Sequence, residues 1–158
     1  MAVEQVAYRP EYALEIVKMW RLSFQRAMGL PEQNEFADLS GHLDAFTRID
    51  PTHLVVLMET TTSQIAGFMA HQPGWVDQLY VHVDWQGQGL GSKLLSQAKA
   101  ASPEGLQLYT FQRNENAQSF YAAHGFREVQ RDFAAADENP WATSREELAD
   151  VLYAWQPA

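Results

Sequence analysis

The stretch WQGQGLGSKLL, Trp85–Leu95, decides the fold because three glycines at alternate positions lead directly into a pattern typical of an apolar helix face. It follows closely after WVDQLYVHV, Trp75–Val83, whose aromatic and β-branched residues predict a strand. A glycine loop between a strand and a helix presents backbone N–H groups at the positive end of the helix dipole. The stretch therefore predicts an anion site, best suited to phosphate.

Two familiar phosphate-binding patterns fail on spacing. The dinucleotide fingerprint G-x-G-x-x-G needs its third glycine one residue later than Gly91. The P-loop G-x-x-x-x-G-K-[ST] needs a glycine directly before its lysine, whereas Ser92 precedes Lys93. The pattern that fits is Q-x-x-G-x-G, from Gln86 to Gly91.

A second motif, NENAQSFYAAHGF, runs from Asn114 to Phe126. Together with the glycine loop it resembles the GNAT superfamily of N-acetyltransferases, whose pattern for this helix is N-x-x-A-x-x-F-Y-x-x-x-G-F. The matching positions are Asn114, Ala117, Phe120, Tyr121, Gly125 and Phe126. The resemblance covers residues 75–126, and before that segment only the order of elements matches. It implies that the glycine loop holds the pyrophosphate of acetyl-coenzyme A (acetyl-CoA).

Hydrophobic periodicity predicts alternating elements along the chain. The expected order is strand, two helices, three strands, helix, strand, helix and strand, with strands such as Val3–Tyr8 and Gly105–Phe111. The tail SREELADVLYAW is ambiguous, because Ser144 and Glu147 form a capping-box pattern while VLYAW reads equally as a strand. The resemblance favours the strand. We expect an α/β fold, namely one GNAT-like domain over residues 1–158 with a mixed central β-sheet flanked by helices.

The composition excludes several kinds of chemistry. The chain has 158 residues, 46% of them hydrophobic, and no cysteine. Lack of cysteine excludes a disulfide framework, a thiolate metal site and an acyl-enzyme on a thiol, whereas an acyl-enzyme on serine or threonine stays open. The five histidines lack metal-ligand spacing and are expected to be ordinary surface or packing residues, so we expect no metal.

The charge and the apolar runs indicate the partners and the location. The chain has 11 basic and 20 acidic residues, a formal net charge of −9. Such a surface repels nucleic acid and anionic membranes and suits a cationic ligand, although an acidic surface also aids solubility. The longest apolar run, Leu54–Met58, is too short to cross a bilayer, and no secretory signal is visible. We expect a cytoplasmic protein, with a second copy of the chain as a candidate partner.

Transfer of an acetyl group to an amine requires a base for the ammonium proton, a hydrogen-bond donor for the oxyanion and an acid for the departing thiolate. A phenol, with a pKa of about 10, keeps its proton at neutral pH and can act as that acid. The resemblance implies that Tyr121 does so beside the coenzyme A sulfur, and it places Asn114 against the pantetheine arm. The alternatives are a core tyrosine and a helix cap.

The resemblance also implies cofactor contacts along the strand and the loop. The backbone N–H of Leu79 is expected to bind the oxyanion, and the main chain of Leu79–Val81 is expected to pair with pantetheine as an added strand. This pairing requires two central strands that separate, which the sequence does not show. The expected cofactor-binding residues are Leu79, Tyr80, Val81, Gln86, Gly87, Gln88, Gly89, Leu90, Gly91, Ser92 and Asn114.

The sequence constrains the general base least. Alternation along the strand predicts that Asp77 shares a face with Trp75 and Leu79, where apolar surroundings would raise the pKa of its carboxyl group. Alternatively, Asp77 lies at the surface or only binds the substrate cation. Tyr109 occupies a position where some relatives carry a glutamate base, and tyrosine is a poor replacement.

These assignments predict an acetyl-CoA-dependent N-acetyltransferase that uses direct attack by a primary amine of a small molecule, a peptide or a protein. The acceptor pocket is expected between the first two helices, with Trp20, Phe24 and Phe36, and the loop Ala134–Ser144. Two alternatives are a non-catalytic acyl-CoA sensor of the same fold and an interaction domain whose glycines are only structural.

Overall fold

The computed structural model describes residues 2–31 and 39–158. The strands are β1 (Val3–Val6), β2 (Leu54–Glu59), β3 (Gln64–Gln72), β4 (Trp75–Val81), β5 (Leu106–Phe111), β6 (Arg127–Phe133) and β7 (Ala149–Trp155). The α-helices in this part of the chain are α1 (Ala13–Met28), α2 (Ser40–Thr47), α3 (Leu90–Ala101) and α4 (Glu115–Ala123). None of these helices is long and apolar enough to span a membrane. Phe36, predicted for the second helix, lies outside the described residues.

The seven strands form one sheet in the order β1-β2-β3-β4-β5-β7-β6. Neighbouring strands are antiparallel except for β4 and β5, which are parallel. A parallel pair needs a crossover connection, and α3 supplies it between β4 and β5. This mixed sheet with helices on both faces confirms the expected α/β, GNAT-like fold.

The C-terminal tail is the strand β7. Ser144 and Glu147 do form the capping box, but it opens only the short 3-10 turn Arg145–Leu148. In β7, Val151 and Tyr153 are buried at alternate positions in the core, and the strand pairs with β5 on one side and β6 on the other. The strand period prevails here because both neighbours offer backbone partners.

The sheet separates two apolar layers. On one face, α3 and α4 cover a core that contains Leu94, Leu108 and Val151. On the other face, α1 and α2 cover a core that contains Ile16 and Phe68. All five side chains are at most 1% exposed. Burial of a side chain of this size contributes about 1.5–3 kcal/mol. Helix α3 and the two predicted acceptor helices therefore lie on opposite faces of the sheet.

The two central strands, β4 and β5, pair at a single position. Trp75 is opposite Gln107, and the Gln107 N–H donates to the Gly74 carbonyl at 2.8 Å. By contrast, β4 pairs with β3 over six residue pairs. Beyond the single pair, β4 and β5 diverge, and one edge of β4 is open. The separation of central strands that the sequence does not show is thus a feature of the fold.

A β-bulge in β4 changes the alternation that the sequence predicts. The register between β3 and β4 shifts, so that Asp77 is an extra residue without a partner position on β3. The extra residue resets the alternation, and Val76 and Leu79 both pack against the core under α3 and α4. Trp75, next to Val76, points to the opposite face. The prediction that Trp75, Asp77 and Leu79 share a face is therefore wrong.

Candidate functional site

The glycine loop after β4 has a backbone shape that requires glycine. Gly87 and Gly89 have φ of +78° and +82°, in the left-handed region that residues with a side chain rarely adopt. Gly89 is the N-cap of α3, and the Lys93 N–H donates to its carbonyl at 3.0 Å. The first N–H groups of a helix have no acceptor within the helix. The exposed loop Gln86–Gly89 and the first turn of α3 therefore offer several N–H donors at one helix end.

Gly91 brings the two sequence motifs into contact. A Cβ atom at this position would lie 3.2 Å from Cζ and 3.3 Å from Cε1 of Phe120 on α4. Glycine therefore lets α4 pack closely on the first turn of α3. The glycine loop and the Asn114–Phe126 motif build one site although they are separate in the sequence.

A cleft of about 400 Å³ opens where β4 and β5 diverge. The predicted site residues that line it are Asp77, Leu79, Tyr80, Asn114 and Tyr121. Asn114 also caps α4, because its Oδ1 accepts from the Ala117 N–H at 3.1 Å. Val81, at the end of β4, connects the cleft with the glycine loop, since Gln86 Nε2 donates to the Val81 carbonyl at 3.0 Å. The structure thus places the predicted strand and helix residues in the cleft and the loop residues next to it.

The backbone of β4 directs alternate N–H groups towards the open edge. The Val81 carbonyl accepts from Ser23 Oγ at 3.0 Å and faces away from β3, whereas the His82 N–H donates to Ala66 of β3 at 2.8 Å. Because successive residues of an antiparallel strand alternate in direction, the N–H of Leu79 also faces away from β3. It is therefore directed to the edge where the resemblance implies an oxyanion.

Tyr121 lines the cleft from α4 and is 7% exposed. Its ring packs against Phe126 and Tyr153, with centroids 5.5 and 6.3 Å away. Burial, with a smaller effect from the neighbouring Tyr80, raises the pKa of the Tyr121 phenol. Burial also raises the pKa of Tyr80 to about 12. Both phenols keep their protons at neutral pH, so Tyr121 can donate one.

Asp77 lines the cleft with an exposed side chain. Gln72 Nε2 donates to its carboxylate at 3.1 Å. The apolar surroundings expected from the sequence are absent, because Asp77 is the bulged residue. Tyr109 is 59% exposed and stacks on Trp75, with centroids 6.0 Å apart. The role of Asp77 as a base stays a prediction, without the burial on which it depended.

A second cavity, of about 730 Å³, adjoins the cleft on the face of the sheet covered by α1 and α2. The two share Gln78, Tyr80, Phe111, Glu138 and Asn139. Aromatic side chains line much of it, namely Trp20, Phe24, His42, Tyr80, Phe111 and Trp141. Burial and the Arg21 guanidinium lower the pKa of His42 to about 4, so this ring is neutral at pH 7. We call this space the aromatic cavity; its walls include the elements expected to form the acceptor pocket.

The central part of the chain carries the family assignment. Residues 50–128, half of the chain, match the family model described as "Acetyltransferase (GNAT) domain". The protein belongs to the GNAT acetyltransferase family. The match includes β4, the glycine loop and α4, so the resemblance drawn from the two motifs is confirmed. No curated protein sequence matches this GNAT protein.

Solved structures share the fold of this GNAT protein. The apo form of YjaB from Escherichia coli is 23% identical with a TM-score of 0.73, over 100% of both chains. A GNAT-family acetyltransferase from Bacillus cereus is 16% identical with a TM-score of 0.67, over 100% of this chain and 99% of the other. A Bacillus anthracis protein solved in complex with acetyl-CoA is 20% identical with a TM-score of 0.54, over 66% of this chain and 62% of the other. At these identities the likeness concerns the fold.

In this GNAT protein, His124, a residue without an assigned role, binds Ser92, one of the expected cofactor residues. His124 Nδ1 is 2.7 Å from the Phe120 carbonyl oxygen, to which it donates, so Nε2 accepts from the Ser92 hydroxyl at 2.8 Å. Lys99 Nζ donates to the His124 carbonyl at 2.6 Å. The Ser92–His124 pair ties the first turn of α3 to the end of α4, and no spacing in the sequence indicates it.

Sequence reasoning missed one acidic residue of the GNAT cleft. Asp150 on β7 lines the cleft and is 8% exposed. Its Oδ1 is buried and has no hydrogen-bond partner in the described part of the chain. Burial, followed by the nearby Asp132 carboxylate, raises the pKa of the Asp150 carboxyl group. The only signal in the sequence was an acidic residue inside the alternating pattern ADVLYAW.

Proposed function

We propose that this protein transfers the acetyl group of acetyl-CoA directly to the nitrogen of a primary amine on a small molecule, a peptide or a protein. The observation that carries this proposal is the cleft between β4 and β5, which has the glycine loop at one end and Tyr121 in its wall. A site for an extended thioester donor needs these three parts together: an anion site, an open strand edge and a proton donor.

The residues present fit acetyl-CoA. The N–H donors of Gln86–Gly89 and of the first turn of α3, with Leu90, Gly91 and Ser92, suit the pyrophosphate. The open edge of β4 at Leu79–Val81, with Asn114 opposite, suits the amides of the pantetheine arm, which would extend the sheet as an added strand does. When bound, acetyl-CoA supplies the acetyl group as a reactive thioester.

Two groups of the chain are proposed to act on the thioester. The Leu79 N–H donates a hydrogen bond to the acetyl oxygen as negative charge develops there. Tyr121 holds its proton at neutral pH and gives it to the sulfur as the carbon–sulfur bond breaks, because the sulfur leaves more easily when protonation accompanies departure.

The acceptor amine is proposed to enter from the aromatic cavity, which opens into the cleft at Tyr80 and Phe111. Its ammonium form has a pKa of about 10 and must lose a proton before it attacks. The net charge of −9 favours a cationic acceptor. The lack of cysteine agrees with a reducing cytoplasm, the location that we propose.

Release of coenzyme A thiol in the presence of an amine tests the proposal. We expect 2-phenylethylamine, whose ring matches the aromatic cavity, to show a kcat/KM about tenfold above that of butylamine, since its extra apolar surface adds about 1.4 kcal/mol on burial. Mass spectrometry should identify the N-acetylated product. Binding of acetyl-CoA without thiol release, with these amines or with a peptide that has a free N-terminus, would instead indicate a non-catalytic sensor.

A further inference from the structure

The Asp150 side chain is a buried carboxylate whose Oδ1 has no hydrogen-bond partner within the described part of the chain. On β7, Asp150 is opposite Phe111 of β5 and Asp132 of β6. Only 8% of the residue is exposed, and its Oδ1 lacks a hydrogen-bond partner among the described residues. Buried carboxylates in folded proteins are normally paired or hydrogen-bonded. An unpaired carboxylate in the wall of a cleft indicates that its partner arrives with a ligand.

The cleft itself supplies no cation to Asp150. The ionisable side chains that line it are Asp77, Tyr80, Tyr109, Tyr121, Glu138 and Asp150, and the described lining residues include no Lys, Arg or His. On the side of β6, the Asp132 carboxylate faces Asp150 and repels it. The cleft therefore favours a ligand with a positively charged group, such as a primary ammonium.

We propose that Asp150 binds the ammonium group of the acceptor and takes its proton, so that the free amine can attack the acetyl carbon. This assignment rests on the proposed function and puts the base at Asp150 in place of the exposed Asp77. The same carboxylate favours an acceptor amine that is protonated when it binds.

The proton balance of the reaction is complete with these groups. One ammonium proton moves to Asp150 and from there to solvent. A nitrogen–carbon bond forms while the carbon–sulfur bond breaks, and Tyr121 gives its proton to the sulfur. The second proton on the nitrogen returns to Tyr121. Each turnover yields one amide, one thiol and one released proton.

The surroundings of Asp150 adapt it to accept a proton. Burial and Asp132 raise the pKa of its carboxyl group, and a carboxylate with a raised pKa is a stronger base. Below that pKa the group is protonated and cannot act, so kcat/KM is expected to rise with pH through the raised pKa. The other acids that face the cleft, Asp77 and Glu138, are exposed.

Asp150→Asn keeps the shape of the side chain and removes its charge. With 2-phenylethylamine as the probe, we expect kcat to fall about 100-fold and the acidic limb of the kcat/KM–pH profile to disappear. The melting temperature is expected to stay constant or rise, because the variant removes a buried charge beside Asp132. The stabilisation by acetyl-CoA is expected to persist. If Asp150 had only a structural role, the variant would melt at a lower temperature and would lose its stabilisation by acetyl-CoA.

Asp132→Asn is the matched control, because Asp132 is an exposed acid directly opposite Asp150 on β6. We expect this variant to keep most of its kcat, because burial, the larger cause of the raised Asp150 pKa, remains. Its acidic limb should move to lower pH, because removal of the neighbouring negative charge makes Asp150 easier to ionise.

A wild-type pH profile in folded Asp150→Asn overturns the assignment, and so does a fall in melting temperature together with loss of acetyl-CoA binding. If Asp150→Asn does not fold, Asp150→Glu decides the question: a lower kcat with a shifted acidic limb supports the assignment, and an unchanged kcat and limb overturn it. Wild-type protein that acetylates no amine overturns the proposed function itself, and the assignment with it.

Discussion

Tyr121→Phe is expected to lower kcat by about 100-fold while the Kd for acetyl-CoA stays unchanged, because general acid catalysis typically contributes at least this factor. Phenylalanine keeps the ring that packs against Phe126 and Tyr153 and removes only the hydroxyl. Tyr80 also keeps its proton, but its ring packs on the face of the sheet that α1 and α2 cover, so it is not expected to replace Tyr121. Thiol release with 2-phenylethylamine measures kcat, and calorimetric titration measures Kd.

Tyr153→Phe is the matched control for this prediction. Tyr153 is buried to 5% exposure and lies 6.3 Å from Tyr121 between ring centroids, but it is not among the residues that line the cleft. We expect removal of the Tyr153 hydroxyl group to leave kcat unchanged. Equal turnover in Tyr121→Phe and wild type would contradict the role of Tyr121 as the acid. A loss shared by both variants would indicate that the ring cluster acts only through packing.

Gly89→Ala is expected to weaken acetyl-CoA binding by about tenfold or more. Gly89 has φ of +82°, and an L-residue in the left-handed region costs about 1–2 kcal/mol, which the loop can relieve by changing its backbone conformation. Nothing lies within 4 Å of the added Cβ, so the effect comes from the backbone and not from a clash. A loop that changes conformation no longer directs its N–H groups at one anion.

Gly29→Ala separates this effect from a general loss of stability. Gly29 ends α1 with φ of +66° and also has nothing within 4 Å of an added Cβ. We expect the two variants to lose similar amounts of thermal stability, while only Gly89→Ala weakens the binding of acetyl-CoA. If both variants bind acetyl-CoA as wild type does, the glycines of the loop are structural and the anion assignment is wrong.

The sequence predicted those parts of the site that are built from local patterns. Strand, glycine loop and helix follow one another along the chain, and the cap at Asn114 is decided within four residues. The contact of Gly91 with Phe120 explains why both motifs are needed for one site. The prediction of a strand in the tail depends on the family resemblance alone. Ser144 and Glu147 do form the capping box that left a helix equally open.

The remaining features depend on neighbours that the sequence does not name. The divergence of β4 and β5 is a relation between two strands that are separated by α3. The bulge at Asp77 depends on the register between β3 and β4. It leaves Asp77 exposed, whereas the sequence predicts a buried base. In the sequence, Asp150 looks like any polar residue of a strand. Only the folded structure places it opposite Asp132 and in the wall of the cleft.

Thermal unfolding with and without acetyl-CoA is the first measurement to make, with NAD and ATP as controls. A ligand at 100 times its Kd adds about 2.7 kcal/mol, which raises the melting temperature of a protein of this size by about 5–10 °C. We expect that increase with acetyl-CoA alone. No increase with acetyl-CoA, or an equal increase with NAD or ATP, would contradict the assignment of the glycine loop and the cleft to an acetyl-CoA site.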